Sequence, residues 1–111
     1  MAGFGWPSSR GKRQEATEVL KEIDADQAPG MVLVSGASMA QHLNLVQLRD
    51  EWVQKSVTKD APLLDRMAMA RLLMTVLREI ELGEGLFTKA LANAKDDEEK
   101  AFVMWHRADA L

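Results

Sequence analysis

Leu63-Leu64-Asp65-Arg66-Met67-Ala68-Met69-Ala70-Arg71-Leu72-Leu73-Met74-Thr75-Val76-Leu77-Arg78-Glu79-Ile80-Glu81-Leu82 is the stretch on which the fold class turns. At about 100° per residue, Leu63, Met67, Met69, Ala70, Leu73, Met74, Val76, Leu77 and Ile80 cover roughly half of a helix circumference. Arg71, Thr75, Arg78 and Glu79 make the polar remainder. Asp60 is a candidate N-cap, Pro62 suits a first turn, and Gly83 suits the C-terminal side. A helix with so broad an apolar arc needs neighbours on several sides. The pattern therefore predicts the centre of an all-α bundle of four or five helices, with its central helix at about 61–82.

Upstream, a first helix is expected from Ser9 or Gln14 to about Gln27, with Ala16, Val19, Leu20 and Ile23 on one narrow stripe. Ala28-Pro29-Gly30 reads as its stop. Met31-Val32-Leu33-Val34 is ambiguous between one strand and a buried helical turn. A lone strand would leave its backbone unpaired, so a helical or irregular segment is favoured. A second long helix is predicted from Ser38, as N-cap, to Val57. It carries two apolar stripes: Met39, Leu43, Val46, Val53 and Val57 on one, Leu45, Leu48 and Trp52 on the other. That is more apolar surface than a single neighbour needs.

Downstream, Phe87, Leu91, Ala94, Ala101, Phe102, Trp105 and Ala108 share one helical face across about Gly85–Ala110. Asp96-Asp97-Glu98-Glu99 interrupts it, and an Asp followed three residues later by Glu is a capping-box pattern. Two helices, or one bent helix, are expected there. No internal repeat is visible.

Charge is uneven. Arg10, Lys12 and Arg13 make residues 1–13 +3, while 14–111 hold 11 Lys/Arg (14 less 3) against 17 Asp/Glu, a net of −6. The first segment reads as a flexible basic arm and 14–111 as one helical domain. No apolar run follows the positive charges, so a signal peptide is not expected. A cytoplasmic setting, or a host cytoplasm for a viral chain, is the expectation.

The inventory for chemistry is thin. With no cysteine, thiolate metal sites and cysteine nucleophiles are excluded. His42 and His106 lie on different helices without a Glu-x-x-His partner, and His106 with Asp109 offers only two ligands, so neither a metal nor a cofactor is expected. Ser35, Ser38 and His42 lack an acidic orienter. Glu79, Glu81 and Glu84 read as a solvated helix end. The expected function is non-enzymatic: a small interaction or adaptor protein that self-associates or binds a partner protein. Leu45, Leu48, Arg49, Trp52 and Trp105 are the candidate interface, since Trp and Arg are enriched at binding hot spots. The alternative is a nucleic-acid-binding accessory or regulatory protein of the kind phages and plasmids encode. It would contact its anionic partner through Arg10, Lys12, Arg13, Arg71 and Arg78.

Overall fold

A computed structural model describes residues 9–110. These form six α-helices and no strand: α1 (Ser9–Glu22), α2 (Gly30–His42), α3 (Val46–Ser56), α4 (Leu63–Thr75), α5 (Ile80–Ala92) and α6 (Asp97–Ala110). The class is all-α, with more helices than four or five because each long helix expected from periodicity folds back on itself.

The ambiguous 31–34 segment is helical. α1 ends at Glu22, short of the expected Gln27, so Pro29 is not its stop; it stands at the N-cap of α2. Its fixed φ and missing N–H cost nothing there, and its carbonyl accepts the Leu33 N–H at 3.2 Å. Ser38, expected as an N-cap, lies inside this helix. The predicted helix from Ser38 to Val57 breaks at Asn44, which takes the left-handed φ of 61°. Asparagine tolerates that conformation better than most residues. The Leu45 N–H then donates to the Ala40 carbonyl at 2.8 Å, closing the end of α2 with a Schellman-type bond.

The expected central helix also breaks at a left-handed residue, but its closing bond spans six residues where that of α2 spans five. Arg78 takes φ 60°, and the Glu79 N–H donates to the Leu73 carbonyl at 2.6 Å. Pro62, not Asp60, is the N-cap of α4. Gly83 ends nothing; it lies buried within α5.

The two corners match in detail. Leu45, after Asn44, has φ −90° and ψ 72°; Glu79, after Arg78, has φ −93° and ψ 73°. Pro29 (φ −62°, ψ 153°) and Pro62 (φ −56°, ψ 154°) each follow an alanine, and each opens a helix of 13 residues. Thus α2–α3 and α4–α5 are similar helical hairpins, offset by 33 residues at the first-helix starts (Pro29 to Pro62) and by 34 at the corners (Asn44 to Arg78), α4 having one more residue before its corner. Burial follows the register of each part: at 33 residues Val34 and Met67, Gly36 and Met69, Ala37 and Ala70, Ala40 and Leu73, and at 34 residues Trp52 and Leu86, Val53 and Phe87, Ser56 and Ala90 are all buried. The expectation of no internal repeat is overturned. Its residues are too dissimilar to show it, and the repetition lies in backbone geometry.

Within each hairpin the helices approach closely. A Cβ built on Gly36 would lie 2.2 Å from Cζ3 of Trp52, so only glycine lets the indole lie against α2. Between hairpins, Met69 of α4 reaches Gly30 at the start of α2. α4 packs against α2, α5 and α6, and Met67, Met69, Ala70, Leu73 and Met74 are all buried. α1 packs only lightly, against α2.

Candidate interaction surface

α6 begins where the sequence pattern places it. The Asp96 carboxylate accepts the Glu99 N–H at 2.9 Å, and the Glu99 carboxylate accepts the Lys95 N–H at 3.2 Å. This reciprocal capping satisfies two N–H groups ahead of and within the first turn. It also explains why the acidic run separates two helices: Ala94, Lys95 and Asp96 form the connection, and three acids, Asp97, Glu98 and Glu99, sit at the positive end of the α6 dipole.

The inner side of α6 holds Val103, fully buried, with Phe102, His106 and Arg107 partly buried. Polar pairs anchor it on both flanks. Arg107 donates to Glu84 of α5 through Nε (3.2 Å) and Nη2 (2.7 Å), a bidentate pair that raises the guanidinium pKa through that hydrogen bond and the carboxylate charge. Arg71 of α4 pairs with Asp109 and lies 3.3 Å from Nδ1 of His106. His106 is packed edge-on against Phe102, at a centroid distance of 4.5 Å, and against Trp105, at 5.0 Å.

This seating turns the other apolar side of α6 outward. Ala101, Met104, Trp105 and Ala108 are exposed, Met104 at 59% and Trp105 at 62%. The sequence places Ala101, Trp105 and Ala108 with Phe102 on one core-facing stripe; only Phe102 turns inward. The stripe rotates because Arg107 and His106, which periodicity counts as polar, find partners on α5 and α4 and go inside with Val103.

The 34-residue offset shows what this outer side corresponds to. Counted from the helix starts, Met67, Ala70, Arg71 and Met74 of α4 line up with Ala101, Met104, Trp105 and Ala108 of α6; Met67, Ala70 and Met74 are buried and Arg71 is half-buried. Gly36 meets Trp52 of α3, and Met74 and the Ala70 carbonyl meet Gly83 of α5. In α6 the equivalent positions are exposed.

The other expected interface residues fall elsewhere. Trp52, expected as a binding anchor, is 1% exposed and lies in the core over Gly36, so it offers nothing to a partner. Leu45 and Leu48 are half-buried and line an open cleft of about 440 Å³ with Lys21, Asn44, Val46 and Gln47. Arg49 is an internal tie between the two corners. Its Nη1 donates to Glu79 at 2.6 Å and to Asp50 at 2.8 Å, its Nη2 to the Leu77 carbonyl at 2.6 Å, and its Nε to Gln41 at 3.2 Å. Burial disfavours its charge, but the hydrogen bonds and charges of Asp50 and Glu79 prevail and hold its pKa above the ordinary value. Gln41 in turn donates to the Val76 carbonyl at 3.4 Å.

The cationic candidates lie on three parts of the fold: α1, α4 and the second corner. Arg10, Lys12 and Arg13 belong to α1, because the helix begins at Ser9; residues 1–8 of the expected arm lie outside the described residues. Arg13 donates to the His42 carbonyl at 3.5 Å. Arg71 is engaged by Asp109, and Arg78 is the exposed left-handed residue of the second corner. Among the described residues no three His, Asp or Glu side chains gather as metal ligands, and no helix is long and apolar enough to cross a membrane. No known protein family, curated protein or solved structure matches the chain.

Proposed function

We propose that this chain is a small non-enzymatic interaction protein that docks a helix on the outer side of α6. One observation supports the reading: Met67, Ala70 and Met74 are buried and Arg71 half-buried in α4, whereas the matching residues of α6, Ala101, Met104, Trp105 and Ala108, are exposed. Stacked helical hairpins bury their apolar faces against neighbours, so a terminal helix either has a polar outer face or receives another helix. Here the outer face carries a Trp and a Met flanked by small residues. Trp and Met are enriched in the cores of protein interfaces, and Ala permits close helix approach.

The test is the assembly state of the full chain, alone and in complexes co-purified with it, against Trp105→Glu. The reading expects an assembly, with itself or with another chain, that the variant loses while its circular dichroism is unchanged. A wild-type chain that stays monomeric and forms no Trp105-dependent complex overturns it.

A further inference from the structure

We infer that the α4–α5 corner is an exchange hinge, and that Arg49 and Gln41 hold it closed against a swap of α5–α6 with a second copy of the chain. The outer side of α6 plays no part in the swap. α5 and α6 pack on each other and on α4. They form one unit that can sit on the α4 of its own chain or of a partner with the same contacts. Buried Phe87, the packing of Met74 over Gly83 and the Arg71–Asp109 pair are satisfied equally in both forms. Only what differs between the two forms decides between them, and that lies at the corner.

Strain acts to open the hinge. The corner has four residues, Val76 to Glu79, and Arg78 holds a φ of 60°. That conformation is unfavourable for a residue with a Cβ, and short strained connections invite exchange. Leu77, Arg78 and Glu79 are also good helix formers, so local preference opposes the turn. The first corner lacks this conflict, because Asn44 tolerates its φ of 61°.

The latch comes from the first hairpin. Turning the chain at Arg78 takes the Val76 and Leu77 carbonyls away from the N–H groups four residues on. Gln41 donates to the first at 3.4 Å, and Nη2 of Arg49 to the second at 2.6 Å. Nη1 of Arg49 also donates to Glu79 at 2.6 Å. These bonds belong to the turned corner alone, so they hold the closed chain against its local preference.

Refolding tests the latch. Every protein carries Trp105→Glu, so that association through the outer side of α6 does not enter. Each is unfolded in urea, refolded at several concentrations and sized by sedimentation velocity. The Trp105→Glu chain is expected to be mostly monomeric. Arg49→Met should raise the dimer association constant at least about tenfold, since each dimer opens two corners. Gln41→Leu, at an exposed position, should act in the same direction and less. Adding Arg78→Gly to Arg49→Met should lower the constant at least about tenfold, because glycine turns without strain and resists the helical alternative. Arg71→Glu and Asp109→Arg, each placed in the Arg49→Met chain and refolded as an equal mixture, should give several-fold more dimer than either alone. Only exchange restores an ion pair on both α4 helices. Monomers for both Arg49→Met and Gln41→Leu overturn the inference. So does a dimer that Arg78→Gly leaves unchanged or that the charge-reversed mixture does not favour.

Discussion

The two hairpins differ in where each keeps its glycine. In α2–α3 the glycine is Gly36, on the first helix, and Trp52 of the second helix lies over it. In α4–α5 it is Gly83, on the second helix, and Met74 of the first lies over it: a Cβ built on Gly83 would lie 2.2 Å from Met74 Cγ and 2.9 Å from the Ala70 carbonyl oxygen. Backbone angles match at Leu45 and Glu79 and at Pro29 and Pro62, so the shared constraint is the spacing of the two helices, not the residues that meet. One large side chain against one glycine fills that spacing from either side.

The largest effect should come from the core of the first hairpin. Trp52→Ala is expected to cost roughly 3–5 kcal/mol, measured by urea unfolding, since it empties a fully buried indole site. Leu73→Ala, in the helix that touches three others, should cost roughly 2–5 kcal/mol. Losses below about 1 kcal/mol at both sites would mean that the stacked hairpins are not the core.

The glycines separate the hairpins. At Gly36 the obstacle is the Trp52 ring alone, so Gly36→Ala combined with Trp52→Leu should be non-additive, the second change relieving about 1 kcal/mol or more of the strain from the first. Gly83→Ala meets a backbone carbonyl as well as Met74, so Met74→Ala should relieve it less completely. Equal rescue at both sites would erase the distinction.

Arg49 binds the corners together. Arg49→Met keeps the apolar stem but removes the donors to Glu79, Gln41 and the Leu77 carbonyl, and should destabilise by roughly 1.5–3 kcal/mol. The corners themselves respond with the opposite sign. Arg78→Gly should stabilise by up to about 1 kcal/mol because glycine adopts φ 60° without strain, and Asn44→Gly by less, because asparagine already tolerates it.

The smallest effect is at the surface between α3 and the turn after α1. Lys55 donates to Asp26 at 2.8 Å, and this hydrogen bond and the Lys55 charge hold the Asp26 carboxyl below its ordinary 3.8. A carboxyl with a lowered folded-state pKa contributes stability that is present above 3.8 and is lost as pH falls through the lowered value. Lys55→Met should therefore flatten that acid limb of a thermal-midpoint profile slightly and leave the neutral region nearly unchanged.

Much of this was legible in the sequence. Helical periodicity identified the helical regions outside 31–34, where only the absence of a partner strand favoured a helical or irregular segment, and the Asp96…Glu99 pattern marked the start of α6. The surplus apolar surface of the expected second helix signalled that the helix needed a neighbour; the neighbour turned out to be its own second half. The corner at Asn44 had a signal, a left-handed-tolerant residue between two leucines. The corner at Arg78 had none, because arginine is an ordinary helix former. Gly83 misled, since a glycine buried for close packing looks in sequence like one that ends a helix. At the candidate surface Trp105 was visible, but Met104 was not. Which arc of α6 faces out depends on Glu84 and Arg71, far away in the chain.

The sequence by itself determined that this is an all-helical chain, because apolar spacing near 3.6 residues recurs over most of its length. It also determined that helices begin near Pro62 and Asp96, where backbone chemistry is local. Only the tertiary structure decided where the long helices turn back and which side of α6 is left open. Those depend on the space beneath Trp52 and Met74 and on ion pairs between distant residues. Burial and pairing energies of that kind exceed the few tenths of a kcal/mol by which local propensity distinguishes a continuous helix from a broken one.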